Sequence, residues 1–318
     1  MIFLCGDIGA SNSRLAIVEI HEQKLQFHVK EFLENSDFQN FHETLAAFQK
    51  KHSLKIDGAC FGVAGPVHLG QVEITNLPWV ITETGTADFL KVKNCFLIND
   101  LHAIAYGVRL LEKSDCVEIL PGRAAQGTQA IVAPGSGIGE AILFWDGTKH
   151  HPMPTEGGHS SYSPTSSLQV ELLQYLFQSF THVSWERVLS GPGILNIYQF
   201  LKDTKKASGK FPIQTSAQIS EGALKGDALC LKTIDLFFEI LATEAGNLAL
   251  KTLPFGGLYI AGGITPKLLN FLNLGEFKKN FLHKGRMSEL LEDIRVTLIL
   301  NDDVGIRGAA AYALLKAD

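Results

Sequence analysis

This sequence has no run of ~20 apolar residues, so no segment of it is long enough to cross a bilayer as a helix. It has no basic stretch dense enough to follow phosphates along a strand, and its net charge of −5 makes nucleic acid an unsuitable partner. Cysteine is scarce: Cys5, Cys60, Cys95, Cys116 and Cys230 are widely scattered and form no C-x-x-C. That excludes a zinc site and a disulfide framework. Cys5, Cys60 and Cys95 fall in apolar, strand-like runs, where a thiol behaves as a small hydrophobe, so a reducing compartment is expected. No basic n-region with a cleavable apolar segment opens the chain, and Leu315-Lys316-Ala317-Asp318 carries no address, so the expected location is cytoplasmic. Heptads, metal-ligand clusters and low-complexity tracts are missing too. So are the G-x-x-x-x-G-K-[ST] loop and the G-x-S-x-G elbow; a nucleotide bound here is not bound by a P-loop.

What is present is enough apolar residue for a large core. With 318 residues, 46% of them hydrophobic, two domains of ~150 residues are expected. The chain opens with strand patterns at 1–5, 14–20 and 25–32. Between the first two lies Asp7-Ile8-Gly9-Ala10-Ser11-Asn12-Ser13-Arg14, a tight polar turn. Gly9 lets the backbone bend and approach a ligand, the turn amides suit phosphate oxygens, and Ser11 and Ser13 add hydroxyl donors. Asp7, at a strand end, is placed to hold a cation or its water. Further on, Pro134-Gly135-Ser136-Gly137-Ile138-Gly139 again joins two strands, 129–133 and 141–145. Two such turns, over a hundred residues apart, read either as a duplicated phosphate-binding core or as two unrelated hairpins.

Other elements place polar groups. A helix over 37–51, capped by Asp37, carries Phe38, Phe41, Leu45 and Phe48 on one face. A strand at 95–98 ends in Asn99-Asp100, followed by a helix over 101–111. Asp100 is then either an N-cap or a ligand-facing group at the carboxyl end of a strand. Glu156 and His159 flank two glycines; they could grip hydroxyls of a sugar or form a salt-linked surface turn. Ser184 can cap a helix from Trp185, in which Glu186 gains from the helix dipole with no functional role required; Ser190-Gly191-Pro192-Gly193 then breaks it. The lysine-bearing segment 202–212 reads as a solvated loop. The helix at 227–252 is apolar over most of its circumference, which suits a deep core position or a homodimer contact. Gly262-Gly263, after a strand at 258–261, would let a flat adenine or ribose lie on the backbone. An alanine-rich helix at 304–316 can pack closely on a sheet.

Taken in order, Asp7–Arg14, Gly62-Val63-Ala64-Gly65-Pro66, Thr75-Asn76-Leu77-Pro78-Trp79, Asn99-Asp100, Gly135–Gly139, Glu156–His159, Glu186–Gly193 and Ala261–Ile264 resemble the motif series of bacterial glucokinases. The resemblance runs from about residue 3 to residue 310, and the Glu156 and Glu186 blocks are its specific parts. The two glycine turns are shared with the wider actin-like superfamily. The resemblance implies two actin-like (ribonuclease H-like) α/β domains hinged over an active-site cleft: a small domain at 1–110 completed by helix 303–318, and a large domain at 111–302. It implies ATP-dependent phosphorylation of glucose on its 6-hydroxyl, with Asp100 as general base. Asn99, Asp100, Glu156, His159 and Glu186 would bind the sugar, and Asp7 would position Mg²⁺. Gly6, Asp7, Ile8, Gly9, Ala10, Ser11, Gly135, Ser136 and Gly137 would face the phosphates, with Gly262 and Gly263 at the adenosine. A kinase for another hexose, or a non-catalytic sugar-binding regulator, would share this fold. Both glycine turns depart from the pattern: Ala10 and Ser11 replace Gly-Thr in the first, and Ala133 and Ser136 replace the first Gly and the Thr in the second; the serines keep the hydroxyl, and the alanines are without cost unless those positions need positive φ.

Overall fold

A computed structural model describes residues 1–21, 24–52, 55–74, 77–123 and 125–317, in two compact units: Met1–Glu112 with Asn301–Asp318, and Lys113–Leu300. The first unit is built on β1 (Ile2–Ile8), β2 (Asn12–His21), β3 (Lys24–Glu34) and β4 (Gly58–Val63). A small hairpin of β5 (Gln71–Glu73) and β6 (Val80–Thr82) precedes β7 (Asn94–Asn99). The sheet order is β3-β2-β1-β4-β7, with an antiparallel meander on one side and β1, β4 and β7 parallel on the other. Both faces are covered. Leu4, Ile8, Leu15 and Ile17 pack with Phe41, Leu45 and Phe48 of helix Phe41–Lys51. Phe3, Cys5, Ala16 and Val18 pack with Ile306, Ala309, Ala310 and Ala313 of helix Val304–Ala317. Burial on two faces is why these strands read as near-continuous apolar runs. All five cysteines are free; burial pushes the Cys95 thiol up to about 12, and that thiol is inert at neutral pH.

In the second unit the strands are β8 (Cys116–Leu120), β9 (Gln129–Pro134), β10 (Ile138–Trp145), β11 (His150–Thr155), β12 (Gly257–Ile260) and β13 (Val296–Ile299). Their order is β11-β10-β9-β12-β13-β8. Helix Ala228–Thr252 is the spine of this unit's core, with Ile234, Phe237, Ile240, Leu241 and Leu248 in one cluster with β9, β12 and β13 residues. Its own unit accounts for the broad apolar coverage. No helix among the described residues is long and apolar enough to cross a membrane.

Several local expectations need correction. Asn40, not Asp37, caps the first helix, through its side chain and the Glu43 N–H; residues 35–37 form a short 3-10 turn instead. The helix expected over 101–111 is Asp100–Gly107 followed by a 3-10 turn. Trp185–Arg187 is a single 3-10 turn with no cap from the Ser184 side chain. Ser190 caps the next helix, Gly191–Asp203, so the Ser-Gly-Pro-Gly run starts a helix where a break was expected. Proline at the first turn is the signal for this. Strand β11 was not legible because Pro152 and Pro154 interrupt it; an edge strand tolerates them since one side needs no N–H donors. Thr75 and Asn76 of the expected polar turn lie outside the described residues.

Candidate active site

In the first unit, Asp7, Gly62 and Asp100 stand at the carboxyl ends of the three parallel strands. Asp7 pairs in register with Gly62, and Gly62 with Ile98, two residues before Asp100. Gly62 is small for a reason: a Cβ there would approach the Ala103 Cβ to 2.9 Å and the Asp100 Cα to 3.7 Å. Asp100 is the first residue of its helix, and its Oδ1 accepts the Leu101 N–H at 2.8 Å. The cap is the neighbouring Asn99, whose Oδ1 accepts the Leu101 and His102 N–H groups. Its Nδ2 donates to the Gly65 carbonyl at 3.3 Å, and among the described residues the other amide hydrogen is left for a ligand. Capping is therefore done by Asn99, and the Asp100 carboxyl is positioned at a helix start, where negative charge is favoured.

Asp7 lies deep. Burial raises its carboxyl above the ordinary range, Arg14 opposes that, and Asp302 adds to it. Arg14 in turn holds Asp302 through its carbonyl at 2.7 Å and its carboxylate at 3.5 Å. Helix Val304–Ala317 starts against this carboxyl: a Cβ at Gly305 would stand 3.3 Å from the Asp7 Cγ. Among the described residues no three His, Cys, Asp or Glu side chains gather as a metal cage. A half-buried carboxylate next to a second acid fits the way Mg²⁺ is usually held beside a nucleotide, by one or two carboxylates, waters and phosphate oxygens.

The first glycine turn is closed by a bond from the Gly9 N–H to the Asn12 carbonyl at 2.9 Å. Gly6 and Ile8 point into the core. A Cβ on Gly6 would meet Leu15 and Phe61 at 2.8 Å, and Ile8 is fully buried, so only their backbones can serve a ligand. Ala10 is half-buried and Ser11 exposed. Ser13, expected as a phosphate donor, is buried and gives its hydroxyl to the Asn35 Oδ1 at 2.6 Å. Asn35 also donates from Nδ2 to the Gly9 carbonyl at 2.8 Å and from its backbone to the Ser11 carbonyl at 2.9 Å. This buried asparagine buckles the turn, and nothing in its sequence neighbourhood marked it. Asn35→Ala is expected to leave the Ser13 hydroxyl and the Gly9 carbonyl without partners, costing about 1–3 kcal/mol. A lowered thermal midpoint together with a raised KM for ATP would bear this out; an unchanged KM would separate the asparagine from the turn's function.

Neither Ala10 nor Ala133 is among the described residues with positive φ. The two departures from the glycine pattern therefore carry no backbone strain.

The second unit collects the remaining candidates around its own glycine turn. Gly135 donates to the Gly137 carbonyl at 2.7 Å, and the Gly135 carbonyl accepts the Gly191 N–H at 2.9 Å. The Glu186 carboxyl lies against Gly137 so closely that a Cβ there would collide with it. The loop bearing Glu156 and His159 is stitched to the Glu186 segment: Trp185 N–H donates to the Ser160 carbonyl at 3.1 Å, and Tyr162 N–H to the Val183 carbonyl at 2.9 Å. His182 Nε2 meets the His159 carbonyl at 3.0 Å. Gly158 packs on the backbone of Ile138, where no Cβ fits. His159 and Glu156 stand 3.8 Å apart with side chains 59% and 73% exposed, too loose and wet to be a structural ion pair and available to a ligand. Gly262, at φ +82, turns tightly over the Pro134 carbonyl at the end of β9, while the position beside Gly263 is open.

A family model described as Glucokinase matches residues 4–316. A glucokinase of Trichormus variabilis is 37% identical, with 98% of each chain covered. Among solved structures, the glucokinase of an Antarctic psychrotroph is 32% identical with a TM-score of 0.84 and 98% of each chain covered. The glucokinase of Balamuthia mandrillaris in complex with glucose, 21% identical and covering 98% of this chain and 92% of its own, has a TM-score of 0.82 and bears on the fold alone. The chain is thus similar over its whole length to two-domain actin-like sugar kinases.

Proposed function

We propose, because this chain belongs to the glucokinase family, that it transfers the γ-phosphoryl group of ATP to the 6-hydroxyl of D-glucose, giving glucose 6-phosphate and ADP. One observation carries the reading: in the second unit, Glu186 lies against the glycine turn at Gly137 and is tied to the loop of Glu156 and His159. A sugar kinase needs hydroxyl-binding groups beside a phosphate cradle, and these residue types supply them.

In this reading Asp100 accepts the proton of the 6-hydroxyl as its oxygen attacks the γ-phosphorus and the bond to the bridging oxygen of ADP breaks. Such a transfer asks for alignment and charge neutralisation more than covalent help. Glu156, His159, Glu186 and the spare amide hydrogen of Asn99 hold the other hydroxyls. The backbones of Gly6–Ser11 and Gly135–Gly137 cradle phosphates, and Gly262 and Gly263 border the adenosine. Asp7 would hold Mg²⁺, through water, and the ion would neutralise phosphate charge there. Burial and Asp302 raise the Asp7 carboxyl, the Arg14 charge opposes that and favours the carboxylate, and Asn35 braces the turn that follows it.

The test is ADP release with Mg-ATP across glucose, mannose, fructose, N-acetylglucosamine and no sugar. A large glucose-specific rate is expected. A higher rate with another hexose would redirect the specificity, and glucose binding without turnover would make the chain a sugar-binding regulator.

A further inference from the structure

We propose that Glu140 is a positioning residue for the sugar: with Glu244 it forms a carboxyl pair beneath Gly157 that sets where Glu156 and His159 stand, and so how tightly glucose is held. The inference rests on the glucose reading of the site above.

Glu140 lies on β10, is 2% exposed, and its backbone is fixed on both sides, opposite Val132 of β9 and Thr155 of β11. Its carboxyl fills the space where Gly157 has no side chain; a Cβ on Gly157 would come within 2.7 Å of the Glu140 Cδ and collide with Oε2. The main chain adds a clamp. Thr155 Oγ1 donates to the Glu140 carbonyl at 3.0 Å and accepts the Gly157 N–H at 3.2 Å. Glu140 therefore supports the loop through both its backbone and its side chain.

Its partner is Glu244 of helix Ala228–Thr252, fully buried and in charge and hydrogen-bond contact with it. Glu244 has the donors: Asn247 Nδ2 at 2.9 Å and Lys251 Nζ at 3.3 Å. Lys284, beyond helix Leu274–Leu282, fixes Asn247 by donating to its Oδ1 at 2.7 Å. No described residue outside the pair hydrogen-bonds the buried Glu140 Oε1, and the Glu140 carboxyl is in hydrogen-bond contact with that of Glu244. The titratable groups around Glu140 are therefore Glu244 and Lys251 from the helix, with Lys284 behind them, and Glu156 and His159 on the loop it supports. β9 contributes none, and β11 has only His150 and His151, at its far end. The pair retains a proton: burial, then the charge of Glu244 and the hydrogen bond to it, raise the Glu140 carboxyl to about 8. Lys251, itself 55% exposed, opposes this at Glu140 without offsetting burial and the charge of Glu244, and Lys284 lies behind Glu244.

Loss of that proton puts a second negative charge into the pair. The strand cannot shift, so the carboxylate is driven toward the loop and displaces Gly157. The sign for stability is the same. The folded-state pKa lies above the unfolded value, so the protonated acid's favourable contribution is complete below about 4.5 and is lost as pH rises through about 8.

The experiment measures kcat, glucose KM and the glucose Kd by calorimetry from pH 6.5 to 9, for the full chain, Glu140→Gln and Glu140→Ala. A single ionisation near 8 raises the parent's glucose KM and Kd about tenfold between pH 7 and 9, with kcat changing less. Glu140→Gln, which keeps the shape of the neutral acid, is expected within about threefold of the parent at pH 7 and flat above it. Glu140→Ala is expected to weaken glucose binding at every pH. A parent without the alkaline rise, a Glu140→Gln variant that retains it, or equal losses for Gln and Ala at pH 7 would overturn the inference. If the alanine variant does not fold, the comparison of parent with Glu140→Gln still decides. Absence of glucose turnover in the parent would instead defeat the kinase reading. The Kd profile, and the infrared carboxylic-acid band that Glu140→Gln should abolish, would still report on the pair.

Discussion

Asp100→Asn is expected to lower kcat for glucose by about 10²–10⁴-fold while leaving the glucose KM within a few-fold and the fold intact. The amide keeps the size of the side chain and an oxygen able to accept the Leu101 N–H, so the helix start is preserved. The cap of that helix is Asn99, which the substitution does not touch. What is removed is the capacity to accept a proton from the attacking hydroxyl. Glucose binding, measured by titration, separates the roles: a lost kcat with retained affinity assigns Asp100 to the proton transfer. Near-normal turnover in a folded Asp100→Asn protein would assign the base elsewhere. A matched loss of affinity and kcat would make Asp100 a hydroxyl-binding group only.

The motif series around Asp7, Asp100, Glu156 and Glu186 was legible because its residue types follow a fixed order along one chain. Strand and helix positions were legible wherever apolar residues run without interruption, as in β1, β4, β7 and helix Ala228–Thr252. Three kinds of feature were not. Asn35 acts through tertiary hydrogen bonds to Gly9, Ser11 and Ser13, more than twenty residues earlier in the chain, which no local pattern encodes. The Glu140–Glu244 pair joins residues about a hundred positions apart, and each acid alone looks like a surface residue in its segment. Capping was misjudged at Asp37 and Ser184 because several Ser, Asp and Asn residues compete near each helix start, and tertiary packing chooses among them. The same competition plays out at Asn99, which caps the helix, while Asp100, its first residue, shares the Leu101 N–H.

Gly308→Ala should have the largest effect on stability, although alanine is the better helix former by about 1 kcal/mol. Gly308 lies in helix Val304–Ala317, whose other face packs Ile306, Ala309, Ala310 and Ala313 against the first sheet. A Cβ at position 308 would overlap the Ala103 carbonyl and stand 2.8 Å from the Gly107 nitrogen. Gly107 is equally restricted, by the carbonyl of Val304. The two helices thus cross with backbone on backbone at Gly107 and Gly308. The clash is with main-chain atoms, which no rotamer change relieves, so the helix must move off its partner. Overpacking of this kind costs about 1–3 kcal/mol or more, which exceeds the propensity gain. For a chain of this size that corresponds to a fall of several degrees in thermal midpoint. The partner helix is Asp100–Gly107, so its displacement moves the proposed base as well. Gly305, one turn earlier, sits against Asp7 and shares the movement. A calorimetric scan and kcat at 25 °C test both parts together. A Gly308→Ala protein as stable as its parent would mean that the helix pair can separate by the width of a methyl group without cost. The close crossing would then not be what holds Asp100 and Asp7 in place.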